Sequence, residues 1–512
     1  MGSMLVIASF VLIAFHTAAR ADVSPLFTVP APASIVAFAA PLLAWFVAHV
    51  FVWWAGRMLD RSGRLRVVFH AERLLSLVRW FAVLWLWPSL DAGWGESAAS
   101  AVFHAPGLAE VAVISPVLLV ATLTWWSFYP IDRRLREAVL FRQLAEGAPI
   151  HRPPSAWRFV TNNIRHQLLI ILVPITLIHV WGGAWDAFRV AHPSIPGAHS
   201  GWPYVVGVVI IITLMPWVLR VIWHTQRLGP GPLRDALLAV CRRNRVRVAD
   251  LLVWHTDAST VNALVTGVVA PARFILFSDA LLDALPRREI EAVTGHEVGH
   301  VRRRHLVWLS LITMGIATGA WGFAVGTESL LSSHFLTAAS TPNASGVDSY
   351  TDQHDVHHPA FVSLETDSSS SSAAEWLFVL TIVGAATMGF GSASRTFELQ
   401  ADAFAVADLS RTLNASDADT SGQSPASHLI RDDAVDAMQS ALRRVAALNG
   451  INPRRFTFRH GSINTRLLHL QSLRGRPLHR LPIDRRVTRV KWLAAIIIAL
   501  VTLPWLAMWF LP

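Results

Sequence analysis

Within the stretch REIEAVTGHEVGHVRRRHL, residues 288–306, His296 and His300 stand four apart and Glu297 follows the first of them directly. On an α-helix, residues four apart share a face. Two imidazoles therefore arrive together with a carboxylate beside them, the arrangement in which a zinc hydrolase takes two nitrogen ligands and a general base. The chain has 22 histidines, so one pair at this spacing is expected by accident, but the adjacent glutamate lowers the chance expectation to roughly 0.05. The competing explanation is a satisfied packing or surface pair.

Two histidines leave a catalytic zinc short of its third protein ligand, and a hard carboxylate suits that position. In SRTFELQADAFAVADL, residues 394–409, Glu398 and Asp402 are again four apart and share a helical face. Glu398 is the expected third ligand. Asp402 is expected to orient a ligand imidazole or a neighbouring helix, because a fourth protein ligand would displace the water that catalysis needs. Without the histidine motif, both acids would read as ordinary helix-surface charges.

The elements that must carry these residues belong to a membrane protein. Hydrophobic residues make up 53% of the 512 and charged residues only 15%. Long apolar stretches occur at 33–55, 75–90, 110–129, 167–183, 203–223, 306–326, 374–391 and 492–511, most of them long enough to cross roughly 30 Å of hydrocarbon. Residues 1–21 suit either a first transmembrane segment or a presequence cut after Ala21. Arginines cluster at 57–73 and 133–142, whereas Lys and Arg are missing between Arg304 and Arg395. The positive-inside tendency then puts 225–305 and 392–490 in the cytoplasm and 327–372 outside. The net charge of +10 comes with no nucleic-acid-binding motif, so no nucleic-acid partner is expected.

Between 230 and 305 the pattern gives a helix to about Arg243, two or three short strands and two helices. Residues 260–267 and 273–278 read as a hairpin around VAPA, whose edge could pair with an extended peptide. The run LETDSSSSSAAE reads as a flexible external linker, and NASDADTSGQSP, residues 414–425, as a loop. His354, His357 and His358 fall in the polar external segment, and Cys241 stands alone, which excludes a disulfide or a cysteine-ligated zinc site.

Several motifs in order resemble those of the M48 family of integral-membrane zinc metallopeptidases, which includes the stress protease HtpX and the CaaX prenyl protease. They are Asn262 and Ala263 before Gly267, the segment FILFSDALLDAL, the motif of His296, Glu297 and His300, then Arg395 with Glu398 and Asp402. RHGSINTRLLHL resembles the family's His-Pro-Ser segment, with Gly461 where the family has proline. The resemblance covers 230–305 and 392–475. It implies that His460 donates to the oxyanion or positions substrate, and that Arg466 pairs with the acidic residues or with a peptide carboxylate. It also implies that Asn262 and Arg395 either support the ligands from behind or contact substrate.

The expected architecture is a multi-pass α-helical membrane protein with a cytoplasmic α+β zincin-like metallopeptidase domain split by a transmembrane hairpin. Its parts are an N-terminal segment 1–21, a membrane region 22–229, a first catalytic part 230–305, a hairpin with an external polar loop 306–391, a second catalytic part 392–490 and a C-terminal transmembrane segment 491–512. One Zn2+ per chain is expected on His296, His300 and Glu398, with Glu297 as general base. The substrate is a protein or peptide within or beside membrane lipid, and the Ala- and Arg-rich, Lys-poor composition favours quality control in a bacterial inner membrane. A CaaX-type prenyl protease and a catalytically silent zinc-binding scaffold are the alternatives, and a membrane sensor-protease would need a larger external domain.

Overall fold

Apolar runs of the lengths seen here fold into helices, and among the described residues the computed structural model is mainly helical, with one small sheet. It describes residues 2–19, 32–146, 153–193, 202–257, 260–313, 315, 368–421, 428–479 and 481–510. Most of segment 327–372, expected to be external, with His354, His357 and His358, lies outside the described residues, as do residues 20–31. The chain divides into two compact units, one of Met1–Ala239 and Arg247–Leu285, the other of Val240–Val246 and Pro286–Pro512.

In the first unit, helices Gly2–Ala19, Ala33–Ser62, Arg66–Asp91 and Ser115–Glu146 pack around Leu5, Leu75, Leu86, Ile114 and Ile131. Three helical stretches among the described residues are long and apolar enough to cross a membrane: Ala33–Ser62, Ala156–Ala191 and Trp202–Ile222. The expected spans at 75–90 and 110–129 are also helical, but they belong to helices that fall short of that apolarity and pack side by side. The stretches 374–391 and 492–511 lie mainly within helices Ser368–Ser421 and Pro482–Phe510.

The sheet has four strands, β1 (Thr225–Arg227), β2 (Asp250–Trp254), β3 (Ala263–Thr266) and β4 (Phe274–Ser278), in the order β1-β2-β4-β3. The two central strands, DLLVW and FILFS, are near-continuous apolar runs, as strands buried on both faces must be, and they pair in parallel with Leu252 opposite Leu276. β3 and β4 form the antiparallel hairpin that the sequence indicates, with a 3₁₀ turn at Ala270–Ala272 between them. β3 is an edge strand.

The second unit is built of helices Arg287–Arg302, Ser368–Ser421, Asp432–Leu448, Ile463–Gln471 and Pro482–Phe510 around Phe397, Val406, Leu409, Val435, Met438 and Leu470. Two readings of the sequence need correction. The serine run 368–372 begins the 54-residue helix instead of forming a linker, and residues 414–421 prolong that helix instead of opening a loop. Once a turn exists each further residue adds a hydrogen bond at little cost, and serine is well suited to helix N-termini. Segment Val240–Val246 is tied to the long helix at the buried Asp408, which accepts from Arg243 Nε at 2.9 Å and from Asn244 Nδ2 at 2.8 Å.

Cys241 is buried in that segment, and burial pushes its thiol pKa up to about 11, outweighing the pull of Arg243 and Arg242. At pH 8 the thiolate fraction is then on the order of 10⁻³. Maleimide should leave the folded protein unlabelled over minutes and modify it fully in denaturant, as read by intact mass. Equal rates in both states would contradict the packing of this segment.

Candidate metal centre

The histidine motif lies on helix Arg287–Arg302, as its spacing requires. Gly295 and Gly299, each directly before one of the two histidines, face the long helix. A Cβ at Gly299 would sit 3.1 Å from Phe404 Cδ1, and one at Gly295 would sit 3.3 Å from Ala405 Cα. Only residues without side chains at these places let the two backbones come so near. His296 and His300 are thereby held against Glu398 and Asp402.

The two imidazole Nε2 atoms are 3.1 Å apart. Glu398 closes the group, with Oε2 3.5 Å from His296 Nε2 and Oε1 3.6 Å from His300 Nε2. Among the described residues these three are the group of His, Cys, Asp or Glu side chains whose ligand atoms converge closely enough to hold a metal ion. Tetrahedral zinc with ligands near 2.0–2.1 Å needs ligand atoms about 3.3 Å from each other. The three separations bracket that value.

Hydrogen-bond logic sets the tautomers. Asp484 can only accept, so Gln400 turns Nε2 toward its Oδ1 at 2.5 Å and presents Oε1 to His305 Nε2 at 2.8 Å. His305 is fully buried and stacked 4.6 Å from Phe397, so in its neutral form Nδ1 must accept. The partner of that nitrogen is His300 Nδ1 at 3.0 Å, which must donate. His300 Nε2 is left with a lone pair. On His296 the Nδ1 atom lies 2.8 Å from Asp402 Oδ1, a close charge contact bent away from the line of a good hydrogen bond. In the neutral ring, Nδ1–H then faces the carboxylate and Nε2 is left to point its lone pair at the centre. Two lone pairs 3.1 Å apart beside a carboxylate repel unless a cation lies between them, and the donor set therefore fits a metal ion.

A proton can take the place of that cation, on His296. Burial opposes charge on His296, yet Asp402 and Glu398 hold its pKa up at about 10, while burial and the charge on His296 drive His300 well below the ordinary range. Burial alone would raise both acids. Arg466 instead holds Asp402 down at about 2, and His296, His460 and Arg466 keep Glu398 well below the carboxylate range. The pocket thus favours added positive charge between its histidines.

Residues 244–472 match the family described as Peptidase family M48. The match spans a little under half of the chain. A protease HtpX homolog of Thermoplasma acidophilum is 30% identical over 160 residues, 29% of this chain and 50% of that protein. A CAAX prenyl protease 1 homolog of Dictyostelium discoideum is 25% identical over 130 residues, 24% of this chain and 30% of that protein. The chain thus spans half or less of the curated relatives it matches. A crystal structure of S. mikatae Ste24p aligns over 86% of this chain and 99% of its own at 14% identity and a TM-score of 0.33, too low to carry a structural argument.

The remaining residues of the M48 region take definite places. Arg466, from helix Ile463–Gln471, forks Asp402 with Nε at 2.7 Å and Nη2 at 2.6 Å, and its Nη1 lies 3.4 Å from Glu398 Oε2. His460 is half exposed, with Nδ1 3.1 Å from Glu398 Oε1. It sits on a tight loop in which Thr457 and Gly461 exchange backbone hydrogen bonds, and Gly461 has φ +72°, which proline cannot adopt, so this loop takes a turn of its own. Arg395 donates to the Phe458 carbonyl at 2.9 Å and so braces that loop. Glu297 lies partly exposed next to His296, and its charge reaches Arg466. Asn262 belongs to the first unit, where its N–H donates to Ser278 Oγ and its carbonyl accepts from the Ser278 N–H. His305, Gln400 and Asp484 were not singled out by the sequence reading; the one available signal was a third histidine five residues beyond His300.

His305→Ala removes the acceptor that fixes the tautomer of His300. Losing such an outer partner weakens metal binding by about 10- to 100-fold. Competition with a chromophoric chelator should show this loss, while His305→Gln, which keeps an acceptor, should recover part of it. Unchanged affinity in both variants would remove His305 from the site.

Proposed function

We propose that this chain is a zinc-dependent metalloendopeptidase that hydrolyses peptide bonds of membrane or membrane-associated proteins, as part of quality control in a bacterial inner membrane. The observation that carries this reading is the pair of imidazole Nε2 atoms 3.1 Å apart, closed by Glu398 and flanked by Glu297. Residues 230–305 and 392–490 would act together as its catalytic domain. The arginine distribution favours a cytoplasmic site.

His296, His300 and Glu398 would hold one zinc ion per chain. Zinc in that place supplies a Lewis acid that acidifies water and polarises the scissile carbonyl. Glu297 takes the proton of the attacking water and returns one to the leaving amine. Asp402 and Arg466 do not touch substrate; they keep His296 and Glu398 in place. His460, at the exposed rim, is assigned to the carbonyl oxygen as its charge grows. The CaaX prenyl reading retains one specific support, the likeness to a relative of that name.

Glu297→Gln keeps side-chain length and one hydrogen-bonding oxygen but cannot serve as a base. Peptide hydrolysis should fall by about 10²- to 10⁴-fold with zinc content unchanged. Wild type and variant should be challenged with an unfolded membrane protein and with a prenylated C-terminal peptide. Broad cleavage of the first supports quality control, selective cleavage of the second supports the CaaX reading, and zinc-loaded wild type inactive on both overturns the enzyme.

Orientation is tested separately by cysteines introduced at Ser345, outside the described residues, and at Ser416. They should label from opposite faces of sealed vesicles, and labelling from one face would overturn the split domain.

A further inference from the structure

A second site lies wholly in the first unit and is independent of the peptidase reading. Helices Ala156–Ala191, with its internal π-helical stretch, and Trp202–Ile222 are consecutive, joined by ten residues, and contact each other where Trp181 Nε1 donates to the Pro203 carbonyl. They form an antiparallel pair, so the start of the first and the end of the second reach the same membrane boundary. A cavity of about 680 Å³ opens there, lined by Arg158, Arg165 and His166 from one helix, Trp223 and His224 after the other, and His255 and Asp257 after β2. This volume suits a small-molecule ligand or lipid headgroup.

Its chemistry is one-sided. Asp257 is the carboxylate of the lining, and it is already engaged by Arg158 at 2.6 Å and Asn162 at 2.7 Å. Arg165 makes no ion pair among the described residues. Trp223 is 6% exposed, and its Nε1–H is sealed from solvent without an acceptor, as is Nε2 of His255. His166 Nε2 is already taken by the Trp254 N–H at 3.0 Å, so it cannot serve Trp223. A buried N–H without an acceptor carries an uncompensated desolvation cost.

The backbone is specialised at the same place. Arg165 and His166 stand in the π-helical stretch Ile164–Leu169, and His224 and Asp257 adopt φ values of +50° and +54°. π-turns and left-handed non-glycine residues are uncommon and gather at functional sites. A spare guanidinium and unpartnered ring nitrogens at a membrane boundary call for an oxygen-rich anion that the bilayer supplies.

We infer that this cavity binds the phosphate headgroup of an anionic phospholipid, with Arg165 as its counter-ion and Trp223 Nε1–H as a neutral donor. The test is native mass spectrometry of the delipidated full-length protein titrated with phosphatidylglycerol, phosphatidylcholine or inorganic phosphate. One phosphatidylglycerol per chain should be retained in preference to phosphatidylcholine. Arg165→Gln should weaken it by about tenfold, a loss equivalent to about 1.4 kcal/mol, and Trp223→Phe by severalfold. Arg66→Gln, an exposed arginine of the 57–73 connection, should change nothing. Thermal unfolding in detergent checks that each variant is folded, and either of the first two suffices alone. Equal retention of phosphatidylcholine, equal loss with Arg66→Gln, or full displacement by millimolar phosphate would overturn the assignment, the last in favour of a soluble phosphate compound.

Discussion

A carboxylate with no exposure at all stays ionised only if a cation is brought in with it, and at the centre of the second unit that cation is Arg466 against Asp402. Removing one partner of such a pair costs about 3–5 kcal/mol, because the other charge is stranded. The pair is bidentate, so it sets orientation as well as energy. Asp402 in turn faces His296, and Arg466 reaches Glu398. One interaction therefore ties together the motif helix, the long helix and helix Ile463–Gln471, three segments far apart in sequence.

What could be read in the sequence follows the range of the interactions. His296 and His300 were legible because a spacing of four is a local geometric fact, and Glu398 because ligand chemistry asked for a carboxylate. The hairpin of β3 and β4 announced itself through β-branched and aromatic residues between turn formers. His305, Gln400 and Asp484 were not legible. Their alignment depends on the turn at 303–304, where Arg304 has φ +57°, and on where helix Pro482–Phe510 docks. The serine run misled because composition reports solvation, whereas helix propagation depends on the neighbour already being helical. The cavity near the membrane boundary draws on residues from 158 to 257 and has no sequence signature.

The orientation of the two imidazoles shows how differently the chain solves one problem twice. His296 meets a charged group directly, so its tautomer depends on Asp402 remaining ionised. His300 is set through neutral groups, His305 and Gln400, ending on Asp484, which Arg303 approaches at 3.5 Å. Two identical side chains one turn apart thus differ in how their electron density responds to the surroundings, the first stiffly and the second through a polarisable chain.

The long helix Ser368–Ser421 carries an apolar stretch, 374–391, and Glu398 on one continuous rod. From the middle of that stretch to Glu398 is about 23 Å along the axis. A tilt of about 5° at the apolar end displaces the carboxylate by about 2 Å, about ten times the roughly 0.2 Å within which a metal-ligand distance must be held. On the proposed reading of 374–391 as a membrane segment, the thickness and lateral pressure of the bilayer would be mechanical inputs to the site.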